Sequence, residues 1–263
     1  MRLVLFCVSV AFLVSHSAQA VAPPGYNLVF DEEFNGPLNI SSYGPGTKWI
    51  AHTPYGGDFG SAWFCNPTDP TPPCSLSGGI LTIKCWFDPV SNHWRSGLIA
   101  SVDTHGNGFS QALGYWECSM KMPPGAGVWP AFWLLGLGNL QSPKQNYAEV
   151  DILEAYGNNI NLAHQNVHVW TPQGTQTSSS GSSYAMTSSA TANYQVYSCL
   201  ITPQFITFAI NSVVVWQTPT LPEDTQPLYV MVDLALGGGW PITGTPNPSF
   251  LNVDYIRAYA PGP

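Results

Sequence analysis

Short runs of apolar, aromatic and β-branched residues recur along the chain, each ended by Gly, Pro, Asn or Ser: GILTIKCWF, SGLIASV, LGYWECSMKM, VWPAFWLL, AEVDILEA, NVHVW, YQVYSCLIT, FITFAI, VVVWQT, LYVMVDLAL and NVDYIRAY. Runs of this length predict strands, and many in succession predict an all-β sandwich or barrel. Between Ile210 and Val213 the pair Asn211-Ser212 sits where a two-residue hairpin turn would, because Asn tolerates positive φ. No long amphipathic helix and no fixed-period repeat interrupts the cadence. Two segments do: 43–73 is dense in Gly, Pro and aromatics, and 171–193 is dominated by Ser and Thr. Both are expected to be loops on the rim of one sandwich.

The first twenty residues follow a different pattern. Arg2 precedes an apolar run over 3–14, and small residues at Ala18 and Ala20 close it, which is the layout of a secretory signal. The run is shorter than the roughly 20 residues a membrane span needs. Cleavage after Ala20 is expected, leaving 21–263 as a single β-sandwich domain outside the cell or in the periplasm, with no membrane attachment.

Composition narrows the partners. Only 8 % of residues are charged and the formal net charge is −8, which becomes −9 when Arg2 leaves with the signal. No Lys/Arg cluster exists to neutralise phosphate, so nucleic acid and anionic membranes are excluded and a neutral substrate is favoured. Six cysteines occur, of which Cys7 leaves with the signal. Cys65 and Cys74 bracket the proline-rich NPTDPTPP, a stiff loop that a disulfide would close in an oxidising compartment. Cys85, Cys118 and Cys199 lie in apolar strand-like runs and are expected as buried thiols.

Against so few charges, the stretch YAEVDILEAYG places Glu149, Asp151 and Glu154 among Val150, Ile152 and Leu153. On a plain strand Glu149 and Asp151 share a face and Glu154 points away; on a helix Glu149 and Glu154 diverge around the axis. A β-bulge at Ile152-Leu153 would shift the phase and put all three acids on one face. Paired carboxylates on one face suit glycoside hydrolysis with retention, one attacking the anomeric carbon and one protonating the departing oxygen. The short Asp between them would help keep a proton in the group.

EVDILE resembles the E-x-D-x-x-E signature of glycoside hydrolase family 16 in its bulged, laminarinase-like form. FDEEFNG, GYWECSMKMPPGAGVWPAFWLL, LALGGGWPI and VDYIRAY resemble the family as well, in order and across nearly the whole chain after residue 20. The resemblance implies a β-jelly-roll sandwich of two antiparallel sheets with a concave substrate cleft. It implies Glu149 as nucleophile, Asp151 as assisting acid and Glu154 as general acid/base. It also implies Trp129, Trp133 and Trp240 as cleft aromatics, His168 as a cleft histidine, and a structural calcium held near Glu33 and Asp254. The chemistry itself needs no cofactor.

Arg95 and Asn35 are further sugar-binding candidates, since guanidinium and amide groups pair with hydroxyls. HQNVH spaces His164 and His168 like a zinc motif, but Gln165 stands where a catalytic Glu would be and the segment is β-rich, so zinc is set aside. The expected activity is a secreted, monomeric retaining endo-glycosidase of β-1,3- or mixed β-1,3/1,4-glucan. Galactan hydrolysis, transglycosylation, and glucan binding without catalysis are the alternatives.

Overall fold

The computed structural model describes residues 22–141 and 143–263, so the expected signal segment lies outside the described residues. Nearly all regular structure is strand, arranged in two stacked sheets. The ten-stranded sheet runs through Val213–Pro219, Phe205–Ile210, Gln195–Ile201, Gly114–Lys121, Ser249–Pro261, Ile80–Asp88, His93–Ser96 and Ala62–Phe64, with Tyr26–Glu32 and Cys74–Ser77 alongside. The nine-stranded sheet runs through Gln176–Ala185, Leu162–Trp170, Tyr147–Ala155, Val128–Gly136, Leu228–Leu236, Leu98–Ala100, Trp49–Ile50 and Ile40–Ser41, with Ser110–Gln111 alongside. The jelly-roll sandwich is therefore present, with one refinement. Ile40–Ser41 pairs with Trp49–Ile50, and Ala62–Phe64 with His93–Ser96, in parallel rather than antiparallel register.

Period-2 patterning explains the layering. In Leu162–Trp170 every second residue is buried, so Ala163, Val167 and Val169 turn inward while His164, Asn166 and His168 stay on the outer face. Between the sheets, Trp49, Trp116, Phe132, Tyr197 and Phe208 are fully buried. Leu228–Leu236 is buried along its whole length, because its outer face is covered too. There Tyr229, Met231 and Ala235 join Ile50, Leu98, Ala100 and Trp133 in a second cluster, capped by Phe59 and Phe64. The capping residues come from the Gly- and aromatic-rich segment that precedes Asn66. The hairpin at Asn211-Ser212 is formed as the sequence predicts: both residues have positive φ, +49° and +66°, and Ile210 faces Val213.

Three expectations need correction. The Ser/Thr-rich segment is not a plain loop: Gln176–Ala185 is an edge strand, paired over its length with Leu162–Trp170. Its side chains are largely exposed, and an edge strand with little core contact needs few apolar residues to hold its backbone pairing. The segment 43–73 likewise contains the short strands Trp49–Ile50 and Ala62–Phe64. Finally, Cys65 and Cys74 are both buried free thiols. Cys65 Sγ lies 3.7 Å from the Trp63 carbonyl and 3.6 Å from Arg95 Nη1, and Cys74 Sγ lies beside Gly97. No helix of the described residues is long and apolar enough to cross a membrane.

Candidate active site

Strand Tyr147–Ala155 brings its acids together through one extra residue. Against Leu162–Trp170, Asp151 pairs with Asn166 and Glu154 with His164, so three residues on one strand span two on the other. Against Val128–Gly136, the acids Glu149, Asp151 and Glu154 stand opposite Leu135, Trp133 and Ala131, which are alternate residues of an undisturbed strand and share one face. Ile152 and Leu153 both go into the core. The bulge thus sits where the sequence spacing demanded it.

All three acids line one cavity of about 160 Å³ on the outer face of the nine-stranded sheet, with Tyr55, Phe59, Trp129, Trp133 and Asp233 as further walls. Glu154 is held from three directions. Trp129 Nε1 donates to Oε1 at 2.9 Å, the Tyr156 hydroxyl donates to the same oxygen at 3.1 Å, and Asn166 Nδ2 donates to Oε2 at 2.8 Å. The Trp129 and Tyr156 rings stack with centroids 5.9 Å apart. Gly238 makes that stack possible: with φ of +59°, it lies so close that a Cβ would come 2.6 Å from Tyr156 and 2.8 Å from Trp129.

The other carboxyls are controlled by burial and by one another. Burial, reinforced by the charge of Asp151, pushes Glu149 up to about 8. Asp151 is raised well above the usual carboxylate range, by burial first and then by Glu154 and Asp233. Asp233 is fully buried and is pushed up to about 8, although it accepts hydrogen bonds from Trp133 Nε1 at 2.8 Å and the Ala235 N–H at 3.1 Å. His168 Nε2 lies 3.4 Å from Asp151 Oδ2. Donor atoms of Glu149, Asp151 and His168 fall within 4.8 Å of one another, the one such group of three among the described residues. These three side chains can hold a cation or a proton.

Of the remaining sequence candidates, only the two tryptophans of Val128–Gly136, Trp129 and Trp133, line this cavity, and the Trp133 N–H is taken by Asp233. Trp240 lies in the loop after Leu236 and is 46 % exposed. Arg95 belongs to a second cavity with Asp69, Trp86 and Asp88. Asn35 is exposed beside Gly79. Glu33 is ion-paired with Arg257 at 2.5 Å, Asp254 accepts from Ser119 Oγ at 3.3 Å, and neither belongs to the converging ligand group. His164 contacts Ser183 Oγ at 2.9 Å, apart from His168.

Sequence reasoning missed Asp233, Tyr55, Phe59, Tyr156 and Asn166. The signal for Asp233 was present: it is the lone acid in the otherwise apolar LYVMVDLAL, where an ionisable group needs a reason to be buried. Tyr55 and Phe59 lay in a segment read only as a loop.

Comparison with known proteins agrees with this geometry. The family model described as glycosyl hydrolases family 16 matches residues 92–256. The chain is 30 % identical over 217 residues to endo-1,3-1,4-beta-glycanase EglC of Rhizobium meliloti strain 1021, covering 75 % of this chain and 43 % of that protein. It is 28 % identical over 266 residues to the keratan-sulfate endo-1,4-beta-galactosidase of Sphingobacterium multivorum, covering 92 % of this chain and 57 % of that protein. The crystal structure of SCLam, a non-specific endo-beta-1,3(4)-glucanase, superposes with a TM-score of 0.72 at 19 % identity, covering 92 % of this chain and 94 % of that one. The chain spans less than half the length of the Rhizobium relative and little more than half that of the Sphingobacterium one. With the family model matched over most of the chain and the bulged acid strand at its centre, the chain belongs to glycosyl hydrolase family 16.

Proposed function

We propose that the protein is a secreted, retaining endo-glycosidase that hydrolyses internal bonds of β-1,3- or mixed β-1,3/1,4-glucan. The observation that carries this reading is the bulge, which turns Glu149, Asp151 and Glu154 toward one aromatic-walled cavity. Glu149 attacks the anomeric carbon, and the bond from that carbon to the leaving oxygen breaks as Glu154 gives that oxygen its proton. Glu154 then takes a proton from water, whose oxygen attacks the glycosyl-enzyme and frees Glu149. Trp129, Tyr156 and Asn166 fix the Glu154 carboxylate for both steps.

The carboxyls titrate as a coupled set. Burial and mutual repulsion keep protons in the group near neutrality, so a proton is available for the leaving group. Attack needs Glu149 ionised, so in the reactive form the protons of the set lie on Glu154, which donates one to the leaving oxygen, and on Asp151, which has His168 at its side. Aromatic rings around the cavity offer flat apolar surfaces to the C–H faces of a sugar.

Two relatives mark the rival substrates. EglC is named for a β-1,3-1,4-glycan, and the Sphingobacterium protein for endo-1,4-β-galactosidase action on keratan sulfate. A chain of net charge −8 with seven Lys and Arg in all is poorly suited to sulfate groups, which favours the neutral glucan. Reducing-sugar release on laminarin, barley glucan, agarose and carrageenan tests the choice. Release from the two glucans is expected, and release from agarose alone overturns it. A proton NMR time course is expected to show the β-anomer first; an initial α-anomer would rule out retention.

A further inference from the structure

A second aromatic surface lies on the outer side of the strands Ala62–Phe64, His93–Ser96 and Ile80–Asp88. Register places Trp63 beside Arg95, and Arg95 beside Trp86, on these three neighbouring strands. Ala62 and Phe64 are buried on one face, so Trp63 is turned to the other and is 46 % exposed. Its ring stacks face to face on His93, with centroids 3.9 Å apart and planes 27° apart, so the imidazole covers one indole face and holds the ring in place. The Arg95 guanidinium lies 5.9 Å from the Trp63 ring and pairs with Asp88 at 2.7 Å. Beyond it opens a cavity of about 340 Å³, lined by Asp69, Trp86, Asp88 and Arg95.

No residue of this surface lines the acid cavity. A single exposed aromatic is ordinary, but here the half-exposed Trp63 stands beside a cavity lined by Trp86 and charged groups, and an apolar face next to converging polar groups is the make-up of a ligand site. Flat rings match the C–H faces of a pyranose, and an Arg–Asp pair between the rings offers donor and acceptor groups to its hydroxyls. We propose that Trp63, His93, Arg95 and Trp86 form a second binding site, separate from the acid cavity, for a chain of neutral β-glucan. A second contact on one polymer raises the effective concentration of its internal bonds at the cleft. This ligand class rests on the glucanase reading.

The test uses full-length protein. In a Glu149→Gln background, native-gel retardation by laminarin is compared with and without Trp63→Ala and Trp86→Ala, with thermal unfolding as a check on folding. Each alanine is expected to weaken apparent binding about tenfold, the scale for losing an aromatic anchor, while Trp63→Phe retains it. In the active protein, Trp63→Ala should leave turnover of laminaripentaose unchanged and slow attack on polymeric laminarin at low concentration. Unchanged retardation overturns the site. An equal loss on the pentasaccharide also overturns it, because the surface would then belong to the cleft. Wild-type hydrolysis of laminarin is measured in parallel, so failure of the glucanase reading shows there and not in the gel.

Discussion

Strands Leu228–Leu236 and Leu162–Trp170 belong to one sheet, yet their outer faces have opposite fates. On the first, Tyr229, Met231 and Ala235 are sealed beneath Phe59 and Phe64. On the second, His164, Asn166 and His168 stay accessible, and the neighbouring edge strand adds Ser179 and Ser183 opposite the two histidines. The acids stand between the two halves: Glu149, Asp151 and Glu154 have the aromatic-rich strand Val128–Gly136 on one side and the His/Asn strand on the other. A boundary of this kind supplies both needs of acid–base chemistry at once. Apolar walls raise carboxyl proton affinity, and polar neighbours orient the carboxylates.

The sharpest way to break this picture is to alter the acids at the boundary. Glu149→Gln should lower glucan hydrolysis by at least about 10⁴-fold in a reducing-sugar assay, as expected when a nucleophile is lost; full turnover would remove Glu149 from its role. Glu154→Gln should cost about 10²–10⁴-fold on natural glucan and much less on an aryl glycoside, whose leaving group needs no proton. Equal losses on both substrates would contradict its role as acid.

The packed half predicts stability rather than rate. Phe64→Ala should cost about 3–5 kcal/mol in denaturant unfolding, the range for truncating a buried Phe. The pH dependence comes from the same burial. Glu149 and Asp233 titrate near 8 in the fold, against ordinary values of 4.5 and 3.8. Between those limits the folded protein binds more protons than the unfolded chain, so these groups favour folding at acidic pH and that contribution is lost as pH rises toward 8. Tm should fall from pH 5 to pH 8, and Asp233→Asn should make the fall shallower. In the open half, Ser179→Ala should change stability by no more than about 0.5 kcal/mol. A large loss there would mean that the exposed edge strand carries packing of its own.

Much of this contrast could be read in the residues. Alternation in LAHQNVHVW announces a strand with one wet face, and the near-continuous apolar run in LYVMVDLAL announces one covered on both. The five-residue step from Glu149 to Glu154 required a bulge before any coordinates. Other features depended on partners far away in sequence. Nothing local in SSSGSSYAMTSSA signals a strand, because its order comes from hydrogen bonds to Leu162–Trp170. The proline-rich span between Cys65 and Cys74 suggested a crosslink, but both are buried free thiols, and pairing depends on the relative direction of the two side chains, which closeness in sequence does not give. Asp233 reaches the site only because Leu228–Leu236 lies beside Val128–Gly136, from which it is separated by nearly a hundred residues.

Gly238 carries no functional group, yet it sets a mutational boundary around one. Even the single methyl of alanine would have to displace Trp129 or Tyr156, the two rings that donate to Glu154 Oε1. Substitution there would act on proton transfer without touching an acid, and random mutagenesis scored by activity would rank this silent position alongside the carboxylates themselves.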